Sequence, residues 1–321
     1  MRLSVESWDP AYGLPGEAAE LEEGEGDAVL DVEMAAAAWA PRDPATGDRV
    51  PEAIVFVDGV RRVDARAWVH APDSTVAPAL CATYAAGAVR CTLDHPAELS
   101  AVLVERGLFT ASPHGGDIVT RAGAYPLRAV GSPRPEALIL ALQARMGELE
   151  VAAAEAACSA GCDLLVVDGP LRGRAHLAPA VGFVKTHHVA YLPPAQHAVI
   201  GALAPGQRTP VFATGSAFSR YAWYLRLPSG SGVRGAPGGF SGQGTPWAGV
   251  VRCEAPITLG PETAVALADR ASAALPRFAS EAHKEPRAPQ NLYPIAGLER
   301  ELRRRLGDEA LLYRALRLAA A

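Results

Sequence analysis

Two segments of one form carry the residues best suited to chemistry: IVFVDGV at 54–60 and LLVVDGP at 164–170. In each, an apolar strand-forming run leads to Asp-Gly, which sets a carboxylate at the strand's carboxyl edge and lets the glycine turn the backbone. Taken singly, such an aspartate caps a turn as readily as it does chemistry. Taken together, Asp58 and Asp168 on neighbouring strand ends come close enough to share a divalent ion, and hard cations such as Mn²⁺ or Mg²⁺ prefer carboxylate oxygens. Two such ions activate water and stabilise the leaving oxygen of a phosphodiester.

A third carboxylate is expected from the helix before the second Asp-Gly strand, where Glu148, Glu150 and Glu155 are available. Glu150 is favoured because it adjoins the stripe of Leu142, Met146, Leu149 and Ala153 without belonging to it, and Glu148 is the alternative. Glu254, at the end of an apolar strand, is a further candidate for a metal oxygen. After Asp168 come Arg172, Arg174 and His176, then GFVKTHH at 182–188. Lys185 is the best-placed cation to stabilise charge on a phosphate, His187 is a candidate for proton transfer, and Arg172, Arg174 and Arg208 are candidates for phosphate contact. Tyr221, Trp223 and Tyr224 suit stacking on an unpaired base, although core packing is the simpler reading.

These residues need a scaffold of alternating strands and helices. The pattern predicts strands at 54–57, 65–71 and 79–92, a helix at 96–106, a long helix from about 134 to 160, and a buried strand at 163–167. Further strands are expected at 189–193, 209–213, 220–227 and 248–254, with helices over 262–283 and 296–318. Residues 1–49 read as an N-terminal extension. Within it, PGEAAELEEGEGDA at 14–27 is acidic and poor in core formers, and a connector at 41–51 precedes a domain spanning 50–321. The glycine-rich stretch at 229–246 reads as a loop and lacks the GxxxxGK[ST] order of a nucleotide-phosphate cradle.

Composition narrows the classes. Of the 321 residues, 49% are hydrophobic, enough for a large core, so disorder is not the default. The net charge of −5 argues against a protein that coats nucleic acid through bulk positive charge, but it allows an enzyme with carboxylates at its metals and a local basic rim. Five cysteines without paired CxxC spacing favour neither a disulfide framework nor a zinc ribbon. Cys158 and Cys162 therefore read as small packing residues. With no leader-like start and no apolar run long enough to span a bilayer, a cytoplasmic protein without a membrane segment is expected.

The order of several short motifs adds a more specific expectation. VDG at 57–59, VVDGPL at 166–171, the glutamate helix between them, VGFVKTH at 181–187 and NLYPIAGLE at 291–299 together resemble the NurA family of nucleases over roughly residues 50–305. The resemblance implies an α/β, ribonuclease H-like core related to the PIWI domain, with a mixed sheet flanked by helices. It implies that Asp58, Asp168 and a glutamate at 148 or 150 hold Mn²⁺ or Mg²⁺ for endonuclease and 5′-to-3′ exonuclease action on DNA. It also implies a homodimer docked on a hexameric HerA/FtsK-like ATPase during end resection and double-strand break repair. Tyr293 suits a family tyrosine that is commonly followed within about two helical turns by a histidine. Here that stretch holds Glu299, Arg300 and Glu301 instead, so either an acidic residue joins the metal site or Arg300 and its neighbours contact phosphate.

Overall fold

The computed structural model describes residues 2–5, 28–45, 50–177, 179–185, 191–214, 219–228, 247–281, 283–285 and 287–320. The strands and helices in chain order are β1 (Arg2–Val5), β2 (Ala28–Val29), β3 (Ala53–His70), β4 (Val76–Thr92), β5 (Glu98–Thr110), β6 (Ile118–Thr120), β7 (Gly123–Tyr125), β8 (Leu127–Ala129), α1 (Pro135–Cys158), β9 (Leu164–Asp168) and β10 (Ala180–Val184). They continue with α2 (Pro194–Ala202), β11 (Phe212–Thr214), β12 (Arg220–Arg226), β13 (Val250–Pro256), α3 (Pro261–Ala274), α4 (Tyr293–Arg305) and α5 (Glu309–Ala320).

The fold is α/β, with one large mixed sheet flanked by helices. Its strands run in the order β2-β11-β12-β13-β10-β9-β3-β4-β5-β8, and β1 pairs with β3. At the centre, β3, β4 and β5 form an antiparallel meander, while β9 and β10 join β3 in parallel. Strand alternation divides the side chains of β3 and β9 between two cores. Ile54, Phe56, Leu164 and Val166 pack with Leu267 of α3 and Leu298 and Leu302 of α4. Val55, Val57, Leu165 and Val167 pack with Ala154 and Ala157 of α1 on the opposite face. This division settles which helix can reach which aspartate.

Three elements differ from their sequence patterns. Strands expected at 54–57 and 65–71 are one continuous strand, β3, whose ladder with β4 shifts register between Val63 and Ala65. Such a bulge adds twist without ending the strand. Residues 96–106 offer Leu99, Val102 and Leu103 at helical spacing, yet β5 forms there because its backbone pairs with β4 from Ala79 to Arg90, and a long ladder outweighs a local preference. The helical pattern of 296–318 is split into α4 and α5 at Gly307, where φ is +85°.

That glycine ends α4 while Arg62 donates to the carbonyls of Gly307 (2.9 Å) and Leu306 (3.3 Å). A side chain in this left-handed conformation is strained, so Gly307→Ala is expected to cost about 1–2 kcal/mol, read as a lower urea midpoint.

Part of the expected N-terminal extension packs on the sheet: β2 pairs with β11, and Glu33 accepts from Arg208 and from the Val211 amide. Residues 14–27 and 229–246 lie outside the described residues, and of 189–193 only 191–193 are described, without strand structure. Cys158 and Cys162 are joined by a disulfide at the end of α1, contrary to the expectation of unpaired packing residues. Cys81, Cys91 and Cys253 are free and buried.

Candidate metal centre

Asp58 and Asp168 are neighbours because β3 and β9 run parallel with Val57 opposite Val167. Both aspartates follow the alternation of Phe56 and Val166, so both carboxylates lie on the face covered by α3 and α4. Gly169 turns the chain away after β9 with φ +91°. Gly59 does not turn it, because β3 continues to His70. A Cβ at position 59 would collide with Glu150 Oε1 and come within 2.9 Å of Met146, so this glycine permits close approach of α1.

Glu299, one turn and a half into α4, completes the set. One oxygen from each of Asp58, Asp168 and Glu299 lies within 4.8 Å of the others, a separation that a single divalent ion can span. Lys185 on the end of β10 donates to Asp168 Oδ2 at 2.7 Å and to Asn291 Oδ1 at 3.0 Å. The Asn291 amide in turn reaches Glu299 Oε2 at 3.4 Å, and Arg287 pairs with the same oxygen. A cation, an amide and a guanidinium therefore fix the orientation of two of the three carboxylates.

Asp58 is only 7% exposed, and its Oδ1 accepts from the Gly59 amide at 2.7 Å. Its Oδ2 and Asp168 Oδ1 are buried without a hydrogen-bond partner among the described residues. Burial, and then the adjacent Asp168 carboxylate, push the Asp58 carboxyl well above the usual range, with Lys185 opposing them. Burial also raises Asp168, against the pull of Lys185. Buried carboxylate oxygens without donors cost free energy that a bound cation would recover, so the donor set fits a hard divalent ion.

The remaining candidates are placed elsewhere. Glu150 is buried on α1 across the sheet from the cluster, where it pairs with Arg174, and Glu148 is exposed and pairs with Arg145. Alternation of side chains along β3 explains the separation: Gly59, not Asp58, faces Glu150. Arg174 also donates to the Pro170 carbonyl at 3.0 Å, so its guanidinium braces the turn after Asp168. Arg172 is exposed on that same turn. His187 lies outside the described residues.

Glu254 is fully buried in a structural ion cluster. Its Oε1 lies 2.9 Å from both Arg220 and Arg252, and its Oε2 accepts from the Leu171 amide at 3.2 Å. Arg208 is equally enclosed, paired with Glu33 and Asp269, and offers nothing to a phosphate. Tyr221, Trp223 and Tyr224 are core residues. Tyr293 bonds through its hydroxyl to Glu281 at 3.1 Å, and Arg300 is exposed 4.0 Å from Glu285. Of these, Tyr293 and Arg300 lie on the same helix as Glu299.

Sequence reasoning placed Glu299 only among the residues where the resemblance expects a histidine. Asn291, just before α4, meets Lys185 and reaches Glu299 within α4, so the start of this helix is tied to the end of β10. No protein-family model matches the chain, and no curated protein matches it. Among the described residues, no helix is long and apolar enough to cross a membrane.

Proposed function

We propose that the chain is a divalent-metal-dependent DNA nuclease of the NurA type, hydrolysing phosphodiesters at Asp58, Asp168 and Glu299. The observation that carries this reading is the convergence of those three carboxylates, two of which have a buried oxygen with no donor among the described residues. The sheet supports it as well: an antiparallel meander continued by two parallel strands, with acidic groups on adjacent central strands, suits a ribonuclease H-like core.

A bound Mn²⁺ or Mg²⁺ would supply Lewis acidity and a water acidic enough to attack at neutral pH. Asp58, Asp168 and Glu299 would hold the ion. Lys185 keeps Asp168 Oδ2 oriented and places a positive charge beside the cluster, where negative charge on a phosphate develops. Arg172, on the turn after Asp168, and Arg300, beside Glu299 on α4, are both exposed and suit contact with the strand backbone. The same reading extends to a homodimer working with a hexameric HerA/FtsK-like ATPase in cytoplasmic end resection and break repair.

The choice of third carboxylate is tested by exchanging one oxygen for nitrogen. Glu299→Gln is expected to lower Mn²⁺-dependent cleavage of linear DNA by about 10–100-fold, the loss typical of weakened metal support, while Glu148→Gln leaves it near wild type. Equal cleavage by wild type and Glu299→Gln would remove Glu299 from the centre.

A further inference from the structure

Two cations already sit on the carboxylate cluster, and they are held very differently. The Lys185 side chain is 15% exposed and is bonded on both sides, to Asp168 and to buried Asn291. The Arg287 side chain is 53% exposed, and its guanidinium pairs with Glu299 Oε2, with Glu285 Oε1 3.6 Å away. Lys185 is a fixture; Arg287 is hydrated, sits at the lip, and has a second carboxylate to keep it there if Glu299 is withdrawn.

Charge explains why such an arrangement is useful. With all three carboxylates ionised, as ligation of a divalent ion requires, Lys185 and Arg287 leave one unbalanced negative charge, and among the described residues Asp58 forms no ion pair of its own. A divalent ion turns this into one surplus positive charge, and a phosphodiester brings the single negative charge that balances it. Glu299 offers one carboxylate to both partners, and a divalent ion drawing on its charge weakens the hold of Oε2 on the Arg287 guanidinium. The exposed member of the pair is the one that can move at little cost, because water replaces its lost contact.

We propose that Arg287 is the internal counter-ion of the metal centre: it yields Glu299 to an arriving divalent cation and turns to the phosphate of the nucleic-acid strand. The proposal rests on the metal-dependent nuclease reading and assigns that site a gating and strand-contacting residue. No bond is made or broken in the exchange; one ion pair is replaced by a metal-carboxylate contact and a guanidinium-phosphate contact.

The test is Mn²⁺ titration by calorimetry of the full chain, together with anisotropy of a labelled single-stranded oligodeoxynucleotide in Ca²⁺ over a salt series. Arg287→Gln and Arg287→Met are both expected to bind Mn²⁺ roughly fivefold tighter, since a competing unit charge is gone from a half-hydrated site. Arg287→Lys, which keeps the charge, is expected to stay within about twofold of wild type. In the Ca²⁺ series, the glutamine variant is expected to lose about 0.7 from the slope of log affinity against log salt, the signature of one phosphate contact on a single strand. Unchanged or weaker Mn²⁺ binding in both neutral variants overturns the counter-ion role. Tighter Mn²⁺ binding with an unchanged salt slope overturns the phosphate step. If wild type does not bind Mn²⁺, or Asp58→Asn binds it equally well, the metal reading itself fails and takes this proposal with it. A wild-type site that is lost in Asp58→Asn but insensitive to Arg287 sinks the proposal alone.

Discussion

Replacing Asp58 by asparagine is expected to stabilise the metal-free fold and to weaken its divalent-ion binding sharply. Asp58 is buried beside another carboxylate, and one of its oxygens has no donor among the described residues. Its folded-state pKa is raised, first by burial and then by Asp168. The folded chain therefore holds this proton to higher pH than the unfolded chain does. Stability from this group is fully present below the ordinary carboxylate pKa and is lost as pH rises through the raised folded value. Ionising this aspartate costs the folded chain stability, a cost that the neutral amide does not carry. A gain of roughly 1–3 kcal/mol is expected, the size of penalty carried by a buried polar group lacking its partner, together with a flatter dependence of stability on pH. Metal affinity moves the opposite way. It is expected to fall by about a hundredfold or more in Asp58→Asn, and in wild type to rise with pH as the carboxyls lose their protons. Urea denaturation across a pH series, with and without Mn²⁺, reads both effects. A destabilised variant that still gains stability from Mn²⁺ would contradict this account of Asp58.

Glu254→Ala is expected to be severely destabilising, by about 3–5 kcal/mol, because it leaves Arg220 and Arg252 buried without their shared counter-charge. It also removes the acceptor of the Leu171 amide, which anchors the turn leading away from Asp168. Glu254→Gln retains an acceptor for that amide and is expected to fall between wild type and the alanine variant. Chemical denaturation measures the loss, and Mn²⁺ calorimetry on the folded glutamine variant separates structure from ligation. Full stability combined with lost Mn²⁺ binding would make Glu254 a ligand after all.

The chemistry-bearing strands were legible because they combine two independent signals. An apolar run of four residues before Asp58 and another before Asp168 mark buried strands, and parallel pairing of two such strands sets equivalent positions side by side. The long helix over 135–158 was equally clear from its uninterrupted length. What one sequence does not encode locally is the face on which a helix docks. Glu150 adjoins the buried stripe of α1 and so satisfies every local criterion for a ligand, but α1 covers the odd-numbered side chains of β3, and Asp58 is even-numbered. Conversely, Glu299 lies on a helix more than a hundred residues beyond Asp168, and only the packing of Leu298 and Leu302 on β3 and β4 brings it to the cluster. The same holds for β5: its helical spacing is local, whereas its partner strand is supplied by the rest of the chain.

Buried charge explains the other reassignments. An arginine or glutamate at a strand end reads the same in sequence whether it faces phosphate or another side chain. Arg208 joins the N-terminal segment to α3 through Glu33 and Asp269, and Glu254 neutralises two arginines. Each is fully buried beside its partners, which is what distinguishes it from Arg287, whose pairs lie at the solvent-exposed lip of the carboxylate cluster.

The most direct measurement is cleavage of linear single- and double-stranded DNA with Mn²⁺ or Mg²⁺ at fixed salt, comparing wild type with Asp58→Asn and Asp168→Asn, with and without a HerA-type ATPase. Cleavage by wild type that EDTA stops and both substitutions abolish is the predicted result. Wild type inactive under every one of these conditions, or cleavage that survives both substitutions, would contradict the assignment of a metal-dependent nuclease centre to this site.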